Sequence, residues 1–149
     1  QNNVTGCTAL LNRALLDWAL PVPQEAVMHD WWLALVASSV GAIGVVDRPL
    51  VHYRQHGRNQ FGAVRSDCKG AVQRIVTMDP RVSLRASQGQ AAVFQSRYAN
   101  KRSLNSAVYV AEMYATIGHE VYPKRLYRVL KHSFWKQDLL RNIGLIFFI

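Results

Sequence analysis

Ten consecutive residues, Trp31 to Val40 ("WWLALVASSV"), carry no charged side chain. A segment apolar on nearly every side has to be enclosed, and at this length it cannot span a bilayer. It is expected to be a core helix that starts at His29 or Asp30 and stops at Gly41, a suitable residue just past a helix end. The difficulty is Asp30, because a charged residue seldom enters an interior unless it is paired or used. Two readings are open. In one, Asp30 sits in the first helical turn, accepts from free N–H groups and complements the helix dipole. In the other, it is a general base for a hydroxyl, which requires it to face an open cleft. Trp31 and Trp32 fit both readings, as core residues or as a stacking surface for a sugar ring.

The segments around this helix are short. Val4 to Leu11 ("VTGCTALL") reads as a strand running into a helix. Asn12 is a fair N-cap for "RALLDWAL", in which Leu15, Leu16, Ala19 and Leu20 share a face. The prolines of "LPVP" end that helix. After Gly41, "IGVVD" reads as a short buried strand and "LVHYRQH" as a second one, rich in β-branched and aromatic residues. From about residue 63 the pattern is helical, with segments expected near 64–77, 83–100, 103–117 and 123–133, and a last one from about 136 onward.

Half of the 149 residues are hydrophobic, which supports one domain with a real core. Two cysteines, Cys7 and Cys68, make neither a disulfide framework nor a zinc motif, and they suggest a reducing compartment. The N-terminal residues have no basic and apolar regions of a secretory signal, and the missing initiator Met suggests a portion of a longer protein. Charge is uneven. Residues 1–60 hold four Lys/Arg and four Asp/Glu, whereas residues 61–149 hold fourteen and five, a net of +9. An excess confined to the second part points either to an anionic partner or to a solvated basic face.

A second polar cluster lies at residues 52–59, "HYRQHGRN". On a strand, His52, Arg54 and His56 share one face, so the two histidines are placed to share a metal or phosphate site. Arg54 between them favours an anion. The alternative is a polar edge strand with solvated side chains.

Taken in series, "NNVTGCTALLNRALLDWALPVP" and "MHDWWLALVASSVGAIGVVDRPLVHYRQHGRNQFGA" resemble the second half of a family 2 glycosyltransferase, in its bacterial rhamnosyltransferase-like branch. The resemblance covers roughly residues 2–63. It implies a fold that is α+β and mostly helical: residues 1–62 as the acceptor-binding half of a GT-A α/β domain with a few short strands, and residues 63–149 as a basic helical tail. It further implies that Asp30 is the catalytic base of an inverting transfer from a nucleoside-diphosphate sugar, rhamnose-like, to a glycan or polyprenyl-linked acceptor. Thr5 and Gly6 would border the sugars, Gly6 permitting close approach of a ligand, with His29, Trp31 and Trp32 beside them. Arg54, Gln55 and Arg58 would hold phosphate, and His56 would ligate a divalent metal, Mg or Mn. The Asp-x-Asp metal motif of that family is absent from the chain, so the portion is expected to be inactive alone.

The tail has its own pattern. In "PKRLYRVLKHSFW", Leu126, Val129, Leu130 and Phe134 form one face, and Lys124, Arg128 and Lys131 form another. With Trp135 and Phe147–Phe148 as anchors, this reads as a basic amphipathic helix suited to an anionic cytoplasmic leaflet, or else as one that packs on the domain. Two rival classes remain: a helical nucleic-acid-binding module, suggested by charge and by pairs such as Arg97-Tyr98 and Tyr127-Arg128, and a non-catalytic interaction domain. Nucleic acid is the less expected partner, because no binding motif is present and residues 1–60 are neutral.

Overall fold

The computed structural model describes residues 4–52, 54, 80–132, 134 and 142. These are mostly helical, and no strand occurs among them. Among the described residues the helices with defined ends are, in order, α1 (Arg13–Ala19), α2 (His29–Val40), α3 (Pro80–Tyr98), α4 (Asn105–Thr116) and α5 (Tyr122–Lys131). Single 3-10 turns stand at Gly6–Thr8, Arg102–Leu104 and Ile117–His119.

The helix ends have local causes. Asn12 caps α1, its side-chain oxygen accepting from the Leu15 amide at 2.9 Å. Leu20, which precedes Pro21, is extended and ends the helix, as the clash of a proline ring with the residue before it requires. Helix α2 begins at His29 and stops at Gly41, whose N–H reaches the Ala37 carbonyl at 3.0 Å. Pro123 lies in the first turn of α5, where its missing N–H costs nothing.

One core joins the two halves of the sequence. Ala19 of α1, Trp32 and Val36 of α2, Ala91, Phe94 and Tyr98 of α3, Leu104 and Ala111 are buried together. The centre is aromatic. Trp32 lies edge-on to Phe94 at 6.1 Å and nearly parallel to Tyr98 at 6.4 Å, and Phe94 and Tyr98 are 4.8 Å apart, all within the range of attractive ring contacts. The core therefore runs across the seam expected at residues 62–63. A second, smaller cluster gathers Leu84, Ile117 and Val129, with Tyr114 and Phe134 against them.

The strands anticipated in the first part are not formed among the described residues. Residues 4–11 make a 3-10 turn instead, and residues 42–52 have no regular structure. Ile43, Val45, Val46, Leu50 and Val51 are exposed, Val45 to 89 %. A strand exists only through ladder bonds to a neighbour, and no other described segment offers one. The rest of the second expected strand, and the helices expected near 64–77 and from 136 onward, lie outside the described residues.

Helix α5 turns part of its apolar face inward. Val129 is wholly buried, and Phe134 packs beside it on the small cluster, so much of the apolar face is spent within the molecule. Leu130, assigned to that face, is instead 52 % exposed. On the basic side, Arg128 and Lys124 both hold Oε1 of Glu120, at 2.7 and 3.2 Å. Among the described residues no helix is long and apolar enough to cross a membrane. Trp135, Phe147 and Phe148 lie outside the described residues.

Candidate active site

The start of α2 is held from two directions. Ahead of it, the loop after α1 is gripped by α3: the Val27 amide donates to Oε1 of Gln90 at 2.9 Å, and Nη1 of Arg97 donates to the Pro21 carbonyl at 2.8 Å and to Ala19 at 3.3 Å. The Tyr98 hydroxyl donates to the Trp18 carbonyl at 2.7 Å, and the Trp32 indole donates to Ala19 at 2.9 Å. These bonds fix where α2 begins and hence where His29 and Asp30 stand.

From the other side comes the turn at Gly6–Thr8. The Gly6 amide donates to Oδ2 of Asp30 at 3.0 Å, across 24 residues of sequence. A Cβ at Gly6 would lie 2.6 Å from Nε2 of His29, well inside contact distance. The space left by the missing side chain is thus filled by the His29 ring, whereas the sequence reading reserved it for a ligand. Thr5 is exposed; its carbonyl accepts from the Thr8 amide at 2.9 Å and from the Thr8 hydroxyl at 2.8 Å, closing the turn.

The chain thus brings Gly6, His29 and Asp30 into contact, but it encloses the carboxylate. Asp30 is 4 % exposed. Among the described residues, the carboxylate does not face the open cleft that a base requires. A carboxylate here, in the first turn of α2, is stabilised by the helix dipole and by the charge-assisted bond from Gly6.

The two tryptophans separate. Trp31 is half-buried and keeps some surface open. Trp32 is 0 % exposed, nearly parallel to Tyr98, with the Arg97 guanidinium 5.1 Å from its ring centre. Trp32 therefore offers no face to a sugar and is a core residue. In the second polar cluster, His52 and Arg54 are exposed, while Gln55, His56 and Arg58 lie outside the described residues. Among the described residues no three His, Cys, Asp or Glu side chains converge as metal ligands; His56, the expected ligand, lies outside them.

Arg97 and Gln90 organise this region, yet neither was marked for that role by the sequence. The one signal was the Arg97-Tyr98 pair, which entered the sequence reading only in favour of the less expected nucleic-acid class. Both side chains turn inward to backbone carbonyls, and Arg128 of the similar pair Tyr127-Arg128 is bound to Glu120. Comparison with protein-family models, curated proteins and solved structures gives no match.

Proposed function

We propose that the chain is the acceptor-side portion of an inverting glycosyltransferase. Asp30 takes the proton from an acceptor hydroxyl, the oxygen attacks the anomeric carbon of a nucleoside-diphosphate sugar from the face opposite the leaving group, and the nucleoside diphosphate departs. The observation that carries this reading is the meeting of Gly6 with His29 and Asp30, from two motifs far apart in sequence, at the head of α2. Trp31, with its partly open face, is the remaining aromatic candidate beside the acceptor sugar. Nucleotide and metal ligands would come from a donor-binding portion, since no Asp-x-Asp occurs in this chain. On this reading the acceptor is a glycan or a polyprenyl-linked sugar at the cytoplasmic leaflet.

The enclosure of Asp30 sets a condition. The acceptor reaches the carboxylate only when the turn at Gly6–Thr8 shifts and releases Oδ2. That same enclosure favours a second reading, in which Asp30 is a purely structural anchor and the chain is a non-catalytic interaction domain.

The test is an assay of the protein containing the donor-binding portion, with a panel of nucleoside-diphosphate sugars and saccharide acceptors. The reading expects acceptor-dependent release of nucleoside diphosphate and a product of inverted anomeric configuration. Retained configuration, or no transfer from any donor of the panel, contradicts it.

A further inference from the structure

Helix α5 has an outward strip that the core does not use. On its inner side Val129 is wholly buried and Leu126 is half-buried. On its outer side Pro123, Tyr127 and Leu130 recur at helical spacing, and so do Lys124, Tyr127 and Lys131, so the five share one side. All of them are exposed, Tyr127 to 59 % and Leu130 to 52 %. This strip differs from the apolar face expected from the sequence, which grouped Leu130 with Leu126, Val129 and Phe134.

Apolar groups and positive charge are interleaved along it, and no Asp or Glu occurs within α5. The neighbouring carboxylate, Glu120, is largely covered; its Oε1 holds Arg128 at 2.7 Å and Lys124 at 3.2 Å, and the Lys124 side chain still keeps 60 % of its surface open. Arg125 and Arg128 are half-buried and bonded to Glu120, so the charge presented outward is lysine. The Lys131 ammonium stands 5.5 Å from the centre of the Tyr127 ring, a cation–π contact at the surface. The surrounding charge has the same sign: residues 122–149 hold six Lys/Arg and one Asp.

We propose that this strip docks on the surface of an anionic phospholipid bilayer. Leu130 enters the boundary between headgroups and acyl chains, and the Tyr127 ring stays at headgroup level. The stems of Lys124 and Lys131 lie along the apolar surface while their ammonium groups remain among the lipid phosphates. Charge complementarity selects the anionic lipid. A second copy of the chain fits the strip less well, because a two-fold contact sets these lysines against the same lysines of the other copy. Nucleic acid also fits less well, since Leu130 and Pro123 find no use on a phosphate backbone. The strip shares no residue with the Asp30 site, and the proposal does not rest on the transfer chemistry.

Co-sedimentation of the chain with vesicles tests this. Vesicles of phosphatidylcholine and phosphatidylglycerol in equal parts are expected to bind it about tenfold or more tightly than phosphatidylcholine alone, and added salt should weaken the binding. Lys124→Gln/Lys131→Gln should weaken it about tenfold or more, as the loss of two basic residues near an anionic surface implies. Tyr127→Ser/Leu130→Ser should do the same by removing the apolar anchors. Lys131→Glu repeats the charge test without touching the Glu120 bridge, and a cooperative urea transition establishes that each variant is folded. Arg102→Gln and Val45→Ser, both exposed and outside α5, are the controls and should change binding less than about twofold. Absence of binding to the mixed vesicles, equal binding to neutral ones, or strip variants that bind as the controls do overturns the proposal. Binding to duplex DNA in place of vesicles assigns the lysines to nucleic acid and overturns it as well.

Discussion

The backbone amide of Gly6 donates to Oδ2 of Asp30 at 3.0 Å, and the His29 ring fills the space where a Gly6 side chain would stand. The N-terminal turn and the head of α2 are therefore fitted to each other by one bond and one steric contact. Gly6→Ala places a methyl against the imidazole and is expected to cost about 1–3 kcal/mol of unfolding free energy. Because His29 is exposed, its ring is the part that must give way. In a His29→Ala background the same substitution should cost less than half as much, and urea unfolding of the double-mutant cycle measures the coupling. Additive losses would show that the contact does not matter.

Trp32 and Trp31 should behave as different kinds of residue. Trp32→Ala removes the largest fully buried side chain among the described residues and the donor to the Ala19 carbonyl, and is expected to cost about 3–5 kcal/mol. Trp31→Ala, from a half-buried position, should cost less than half of that by the same urea measurement. Equal losses at the two positions would contradict the assignment of Trp32 to the core.

Stability should fall at alkaline pH for a reason located in the core. Burial pushes the phenols of Tyr98 and Tyr114 up from their ordinary value; Arg97 partly opposes this at Tyr98, as does the hydrogen bond between Ser87 and Tyr114 at the second phenol. The folded state therefore keeps these protons at pH values where the unfolded chain has lost them. Their contribution is complete below about pH 10 and disappears as pH rises through the higher folded values. Unfolding free energy measured from about pH 9 to about pH 11 should decline, and the decline should be shallower in Tyr98→Phe/Tyr114→Phe. An unchanged slope in that variant would assign the loss to other groups.

Local signals in the sequence were sufficient for the helix ends. Asn12 and the Leu20-Pro21 step act within a turn of where they stand, and α2 runs from His29 to the Gly41 stop as expected; its N-cap, however, is Met28, without a side-chain cap bond, and Gly41 does not take the left-handed backbone of a glycine cap. Of the strands expected at 43–47 and 50–56, the described residues form none, because β-branched composition says nothing about whether a pairing partner is present. The two tryptophans could not be told apart, since a helix apolar on all sides does not declare which face turns inward; contact with Phe94, Tyr98 and Arg97 decides it. In α5 the pattern located Val129 correctly but not Leu130, and it gave no sign that Glu120 would take up Lys124 and Arg128.

The account turns on what the Asp30 carboxylate does, and Asp30→Asn measures that most directly. Asparagine keeps an oxygen that can accept from Gly6, so unfolding free energy should change by less than about 1.5 kcal/mol. In the protein containing the donor-binding portion, loss of a general base should lower turnover by a factor of about 10² to 10⁴. Turnover that survives the substitution would make Asp30 an anchor for the Gly6 turn and would contradict the catalytic reading.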